Sequence, residues 1–382
     1  MRAIVVGAGP GGAVAALELA RGGASVTLVD KSAWPRAKTC GDGVSPLGVR
    51  ELAQLGVRFD ETPKLTCALV TTPRGTAFRG NFPADAPHGT IVERRILDDA
   101  LVRAAISAGA DFLPSTCVRS LEPGDTSVSA VMASPASDHR ERYDVAVLAE
   151  GATGSLARAL GFPPYRSRLI ALRGYADAPR DLAPEYGVFY DRPLSPGYGW
   201  IFPVSERRAN VGILVDARTL SRLGGDLRGL LSNWLTRSAA CRELFSASPL
   251  LENVRGGVIP SGRKKRTAGR VFLVGDAAGV ADPFTAEGIY EAMHTGRSAA
   301  RSLLLEPDIV RATKRYAQDV RTFDHNERAA RLLRATFDMS IEPFARRAQS
   351  RPLLASQLNT DVFFIKRSFA HFVIKLLASS LR

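Results

Sequence analysis

The stretch Ala3-Ile4-Val5-Val6-Gly7-Ala8-Gly9-Pro10-Gly11-Gly12-Ala13 decides the fold. Its first four residues are apolar and read as a buried parallel strand, and Ala13 to Arg21 reads as a helix. The glycines between them fit Gly-x-Gly-x-x-Gly at a strand-to-helix turn, the setting in which that spacing carries meaning. Gly7 permits the tight turn and Gly9 lets backbone approach a pyrophosphate. Gly12 lets helix pack on strand, and the helix N-terminus faces the negative charge. A second strand, Ser25-Val26-Thr27-Leu28-Val29, ends in Asp30, a carboxylate placed to accept hydrogen bonds from an adenosine ribose.

A second segment, Phe272-Leu273-Val274-Gly275-Asp276-Ala277-Ala278-Gly279, stands far downstream. Two distant segments that each suit one part of the same dinucleotide imply a bound FAD. Tyr143 to Ala149 reads as another buried strand, and Arg94-Arg95-Ile96-Leu97-Asp98-Asp99-Ala100-Leu101 opens an amphipathic helix.

Composition narrows the class. The chain has 382 residues, enough for two domains and a helical tail, and its 34 Gly and 23 Pro are spread rather than gathered in a linker. Cys40, Cys67, Cys117 and Cys241 lie far apart without a Cys/His cluster, so neither a disulfide framework nor a metal site is expected. No charged and apolar leader precedes the first strand, which makes a cytoplasmic protein the default expectation. The net charge of +13 finds its one real run in Arg263-Lys264-Lys265-Arg266, in a loop without interleaved aromatics, so nucleic acid is not an expected partner.

An anionic membrane is the better partner. From Val362 to Leu381, Arg367, His371, Lys375 and Ser379 recur every four residues on a stretch otherwise rich in Phe, Ile, Val and Leu. Those charges make a poor membrane span. They suit a helix lying at the inner membrane face, covering an apolar site, or packed on its own domain.

Short apolar runs at Leu169 to Gly174, Tyr186 to Tyr190, Gly199 to Phe202 and Asn210 to Val215, separated by turn residues, predict a mainly antiparallel sheet. The fold expected is therefore α/β plus β. A discontinuous Rossmann-like FAD-binding domain takes 1–65, 90–160 and 255–305, a substrate-side sheet takes 66–89 and 161–254, and a helical C-terminal region takes 306–382.

Further motifs carry a resemblance. Pro35-Arg36-Ala37-Lys38-Thr39-Cys40-Gly41-Asp42-Gly43, Tyr198-Gly199-Trp200-Ile201-Phe202-Pro203, Asn210-Val211-Gly212 and Gly257-Val258-Ile259-Pro260 resemble segments of the geranylgeranyl reductase family. That family belongs to the group A flavoprotein superfamily, whose fold is that of p-hydroxybenzoate hydroxylase. The resemblance implies that Asp276 binds the ribitol of FAD and that the Pro283 to Ile289 turn, with Gly288 and Ile289, faces the flavin pyrimidine. It also implies that Arg94 contacts the dinucleotide, Arg95 being the alternative, and it brings Lys38 and Gly275 into the cofactor site. Two positions depart from the superfamily pattern: Glu150-Gly151 stands for its Asp-Gly, and Ala286-Glu287-Gly288-Ile289 for its Gly-Glu-Gly-Ile. These put the handling of a nicotinamide donor and the shape of the catalytic face in doubt.

Cys40, Tyr198 and Trp200 are the candidates on the catalytic side. Cys40, between Lys38 and a glycine turn, is expected to have a lowered pKa and to donate a proton or position substrate, its alternative being a small residue packed beside the flavin ring. Tyr198, Trp200 and Phe202 suit the walls of an apolar cavity. The expected activity is FAD-dependent reduction of carbon–carbon double bonds in an isoprenoid or similarly apolar substrate, with NAD(P)H, ferredoxin or quinol as donor. One alternative is a monooxygenase or halogenase, although halogenases carry Trp-x-Trp-x-Ile-Pro where this chain has Tyr198 and Phe202. A non-catalytic membrane-surface flavoprotein is the other.

Overall fold

The computed structural model describes residues 1–363 apart from positions 86, 135–137, 246, 247 and 307. The stripe Arg367, His371, Lys375 and Ser379 lies outside the described residues.

The apolar run at the N-terminus forms the strand Arg2–Val6 at the middle of a six-stranded sheet. Its order is Thr267–Ala268, Val271–Leu273, Val145–Leu148, Arg2–Val6, Ser25–Val29 and Asp111–Leu113. All neighbours are parallel except the first pair. Ile4, Val5, Val147 and Phe272 are wholly buried, as strands covered on both faces must be. The register places Val6 beside Val29 and Leu148, and Leu148 beside Leu273, so Gly7, Asp30, Ala149 and Val274 all leave the sheet at one carboxyl edge. Open α/β sheets bind ligands at such an edge.

Two helices meet there at backbone distance. Pro10–Arg21 packs on Ile289–Leu305, and a Cβ added at Gly296 would stand 2.1 Å from the Gly11 carbonyl oxygen. The N-termini of both helices, far apart in sequence, thereby face the same space.

A second, seven-stranded sheet orders Glu252–Ser261, Ser167–Asp177, Arg208–Asp216, Tyr198–Ser205, Glu185–Phe189, Cys67–Thr71 and Ala77–Asn81. It is antiparallel apart from the Glu185–Phe189 and Cys67–Thr71 pair. The strand Glu252–Ser261 carries this sheet past the boundary read at 254, because it pairs with Ser167–Asp177 along most of its length. Alternation sorts the side chains. Ile201, Val211, Ile213 and Val215 pack on Leu231, Trp234 and Leu235 of the Leu227–Arg237 helix, while Ala171, Tyr198, Trp200 and Leu214 look the other way.

That second face is covered by the helices Arg321–Ser350 and Pro352–Phe363, through Ile341, Phe344, Ala345, Ala348 and Ala355. Glu342 fastens the cover. Its buried carboxylate accepts from Thr72 Oγ1 at 2.5 Å, Thr76 Oγ1 at 2.6 Å and Arg346 Nε at 3.2 Å. The basic run is likewise structural. Arg263 and Arg266 are buried, Arg266 reaching the Ala278 carbonyl at 3.0 Å and Asp324 at 2.8 Å, and only Lys264 and Lys265 are exposed.

Burial works to raise the Glu342 pKa, but the bonds from Thr72, Thr76 and Arg346 outweigh it and hold the carboxyl below the usual glutamate range. A depressed folded pKa contributes stability above the unfolded value of about 4.3 and loses it as pH falls through the folded pKa. Glu342→Ala is therefore expected to cost about 1–3 kcal/mol at neutral pH, the range for a removed partner of buried hydroxyls. Urea unfolding should show the gap between wild type and variant closing on acidification.

Candidate active site

The glycine fingerprint divides its labour. Gly7 has φ of +102°, and an added Cβ would lie 2.3 Å from the Ala149 carbonyl oxygen. At Gly12 the added atom would be 1.8 Å from the Gly7 oxygen, so no side chain fits between helix and strand. Gly9 differs. Its nearest neighbours would be Arg36 Nη2 at 3.6 Å and Arg94 Nη2 at 4.0 Å, which leaves an open face at the helix N-terminus flanked by two guanidinium groups.

Carboxylates set that cationic cradle. Arg94, buried, makes two 2.8 Å bonds to the wholly buried Asp98 four residues on, and Asp98 also receives Arg36 at 3.0 Å. Burial alone would lower the Arg94 pKa; Asp98 and its neighbours drive it upward, so the cation persists. Arg95 is exposed, so Arg94 is the arginine that faces the cavity. Asp30 accepts from Ala8 N at 3.0 Å and Ser32 N at 2.9 Å and pairs with Arg36 at 3.2 Å. Arg36 and Asp98 were missed as site residues. The Arg94 and Asp98 spacing of four was legible as an ion pair on one helix face.

Farther along the same cavity, Lys38 Nζ lies 3.0 Å from Asp276, whose segment turns through Gly275 at φ +58° and Gly279 at φ +64°. Gly288 and Ile289 open the Ile289–Leu305 helix and also line the cavity. Ala286 sits at φ +59°, a conformation that costs a non-glycine residue about 1–2 kcal/mol. Glu150 plays a structural part, accepting from Leu156 N at 2.9 Å and Ala157 N at 2.7 Å to cap a short helix. Its longer reach depends on Gly154, where a Cβ would collide with the carboxylate at 2.1 Å.

The cavity encloses about 610 Å³ and continues from this polar channel into an apolar chamber. Cys40, Tyr198 and Trp200 line it, together with Val70, Phe78, Val188, Phe284, Ile341 and Phe344. Tyr198 donates to the Thr285 carbonyl, tying the large sheet to the turn before Gly288. Burial pushes the Cys40 thiol up, outweighing the Arg94 charge that would lower it. The expectation of a lowered pKa is thereby corrected: desolvation dominates, and the sulfur keeps its proton at neutral pH.

Cys40 belongs to a buried network that spans the sequence motifs. Trp200 Nε1 donates to Asn210 Oδ1 at 2.9 Å, and Asn210 Nδ2 donates to the Cys40 carbonyl at 3.0 Å and to Asp42 Oδ2 at 2.7 Å. Tyr175 donates to the same Asp42 oxygen at 2.5 Å, and Arg173 Nε reaches the Cys40 carbonyl at 3.2 Å. Asp42 is wholly buried at φ +61°, with no partner for Oδ1 among the described residues. Burial raises its pKa against the bonds from Tyr175 and Asn210. Asp42 was read only as part of a motif and Tyr175 not at all, because the partners that give them a role lie elsewhere in the chain.

Residues 1–174 match the FAD binding domain family. Menaquinone reductase from Mycobacterium tuberculosis is 33% identical over 317 residues, covering 78% of this chain and 76% of the relative. Digeranylgeranylglycerophospholipid reductase 1 from Methanopyrus kandleri is 30% identical over 312 residues, covering 78% of each. A geranylgeranyl bacteriochlorophyll reductase-like structure from Thermoplasma acidophilum superposes with a TM-score of 0.78 at 20% identity, covering 98% of both chains. The cofactor is FAD, and the residues fit it: an open glycine at a helix N-terminus, paired guanidiniums, and a carboxylate at each end of a continuous channel.

The two central glycines should separate in a test. Gly12→Ala forces a Cβ onto a carbonyl and is expected to cost at least about 1–3 kcal/mol, with loss of folded protein. Gly9→Ala, at φ −72°, should hold stability within about 1 kcal/mol while FAD content falls, because its methyl enters the open face. Thermal unfolding and the flavin-to-protein absorbance ratio read both.

Proposed function

Because the chain belongs to the geranylgeranyl reductase family of FAD-dependent oxidoreductases, we propose that it saturates carbon–carbon double bonds in an isoprenoid or comparably apolar chain. The observation that carries this reading is a cavity that joins the polar channel to an aromatic and aliphatic chamber, with the Cys40 thiol among its walls. FAD, when bound and reduced, supplies the hydride. Everything else falls to the protein.

Cys40 holds its proton because burial disfavours the thiolate, and it delivers that proton from Sγ to the alkene carbon that does not take the hydride. One hydride and one proton convert the alkene to the alkane, and the thiolate left behind regains a proton before the next cycle. Phe78, Phe284 and Phe344 exclude water and accept the hydrocarbon through dispersion and burial. Tyr198 fixes the Thr285 carbonyl and hence the turn that leads to Gly288. The N-terminus of the Ile289–Leu305 helix would lend its partial positive charge to a reduced flavin held beside Gly288 and Ile289.

The membrane reading extends this proposal. Leu353, 80% exposed, and Met339, 74% exposed, sit on the helices that cover the cavity, near the exposed Arg346 and Arg351. An apolar substrate held in a bilayer would reach the chamber with least transfer through water if these helices and the residues after Phe363 rested on an anionic surface.

Cys40→Ala is expected to retain FAD and a reducible flavin but to lose at least about 100-fold in alkene reduction, at the low end for a lost general acid. Product analysis after anaerobic turnover reads this, and full activity would remove Cys40 from the chemistry. Deleting residues 364–382 should abolish co-sedimentation with anionic vesicles. Undiminished binding would discard the role of that stretch.

A further inference from the structure

We propose that Asn210 is a positioning residue that holds the Cys40 loop and the Trp200 wall in one fixed relation, so that proton donor and apolar wall meet the substrate together. The inference rests on Cys40 acting as the proton donor.

The side chain is wholly buried and every bond it makes has a forced direction. An indole N–H can only donate, so it must meet the carboxamide oxygen. A backbone carbonyl can only accept, so the Cys40 oxygen must meet the carboxamide nitrogen. Turning the amide over would break both bonds, which leaves one orientation. Its second N–H goes to Asp42. Among side chains of this size, a carboxamide alone offers one acceptor and two donors in a plane.

Strand geometry explains how Trp200 reaches it. In the register of the two strands, Trp200 lies opposite Gly212 and Phe202 opposite Asn210, so Trp200 and Asn210 are diagonal neighbours. The indole crosses Gly212, where an added Cβ would stand 2.4 Å from the ring. The Asn210-Val211-Gly212 spacing therefore carries both the partner and the room for the ring. Gly41 completes the junction, its added Cβ falling 3.3 Å from Trp200 Nε1. Arg173 provides a second bond to the Cys40 carbonyl, so losing Asn210 loosens the loop without releasing it.

Asn210→Asp and Trp200→Phe test the link in the full-length, FAD-loaded protein. N210D keeps the shape and the acceptor for Trp200 but turns acceptors toward the Cys40 carbonyl and Asp42. Anaerobic reoxidation of its reduced flavin by a polyprenyl alkene should slow about 100-fold, the cost of a displacement of about 1 Å in a reacting group, with KM within about threefold. Iodoacetamide alkylation of Cys40, read by mass spectrometry, should rise several-fold in N210D and also in W200F, since the indole acts on the loop through Asn210. N210D should shift the Trp200 indole ¹⁵N signal, because the acceptor of that N–H becomes a carboxylate.

Wild-type alkylation rates in both variants would overturn the proposal, as would a wild-type turnover rate in N210D. If N210D does not fold, W200F decides by the same alkylation rate. If the wild-type protein itself fails to reduce the alkene, the reductase reading falls, while alkylation and the indole signal still judge Asn210.

Discussion

The contact on which the molecule depends is the backbone-distance packing of Pro10–Arg21 on Ile289–Leu305. Gly11 and Gly296 are small enough to let the two helices close, and that closure brings together segments about three quarters of the chain apart. Both helix N-termini, at Gly9 to Gly11 and at Gly288 and Ile289, open onto one cavity, where their partial positive charge favours an anionic group. Neither could be aimed independently, because the strands that precede them, Arg2–Val6 and Val271–Leu273, are next-neighbours across Val145–Leu148 in one buried sheet. Sheet register and helix packing are therefore a single constraint.

The second sheet uses that frame rather than contributing to it. Alternating residues give it two apolar faces, one buried under the Leu227–Arg237 helix and the other left to wall a chamber that the Arg321–Ser350 helix closes. Two polar groups of the chamber wall are tied down. Tyr198 holds the Thr285 carbonyl in the turn before Gly288, and Trp200 holds Asn210. Charge is concentrated at the other end, where Arg36 and Arg94 are balanced by Asp30 and Asp98. This division suits a cofactor with a charged tail and a substrate without one.

Much of this was legible in the sequence because it depends on local rules. Buried strands read as continuous apolar runs, glycine spacing revealed the first turn, and short apolar runs set off by turn residues, Gly199 to Phe202 and Asn210 to Val215, marked the strands Tyr198–Ser205 and Arg208–Asp216. What stayed hidden was set by tertiary contact. Cys40 looked activated beside Lys38, but Lys38 pairs with Asp276 and burial governs the thiol. Glu150 looked like a departure near the nicotinamide path and is a helix cap accommodated by Gly154. Arg263 and Arg266 read as part of a basic loop and are interior, because the partners that hold Arg266, the Ala278 carbonyl and Asp324, come from elsewhere in the chain. Asp42 acquires its environment from Tyr175 and Asn210, more than a hundred residues away.

The central claim, that this cavity brings an alkene to a reduced flavin beside a protonated thiol, is tested most directly by one anaerobic mixing experiment. The purified protein is reduced chemically, mixed with a polyprenyl substrate in detergent, and followed by flavin absorbance and product mass. The account predicts that oxidised flavin returns in step with formation of a saturated product, without oxygen. A flavin that stays reduced until oxygen is admitted, and then yields a product carrying an added oxygen atom, would contradict it.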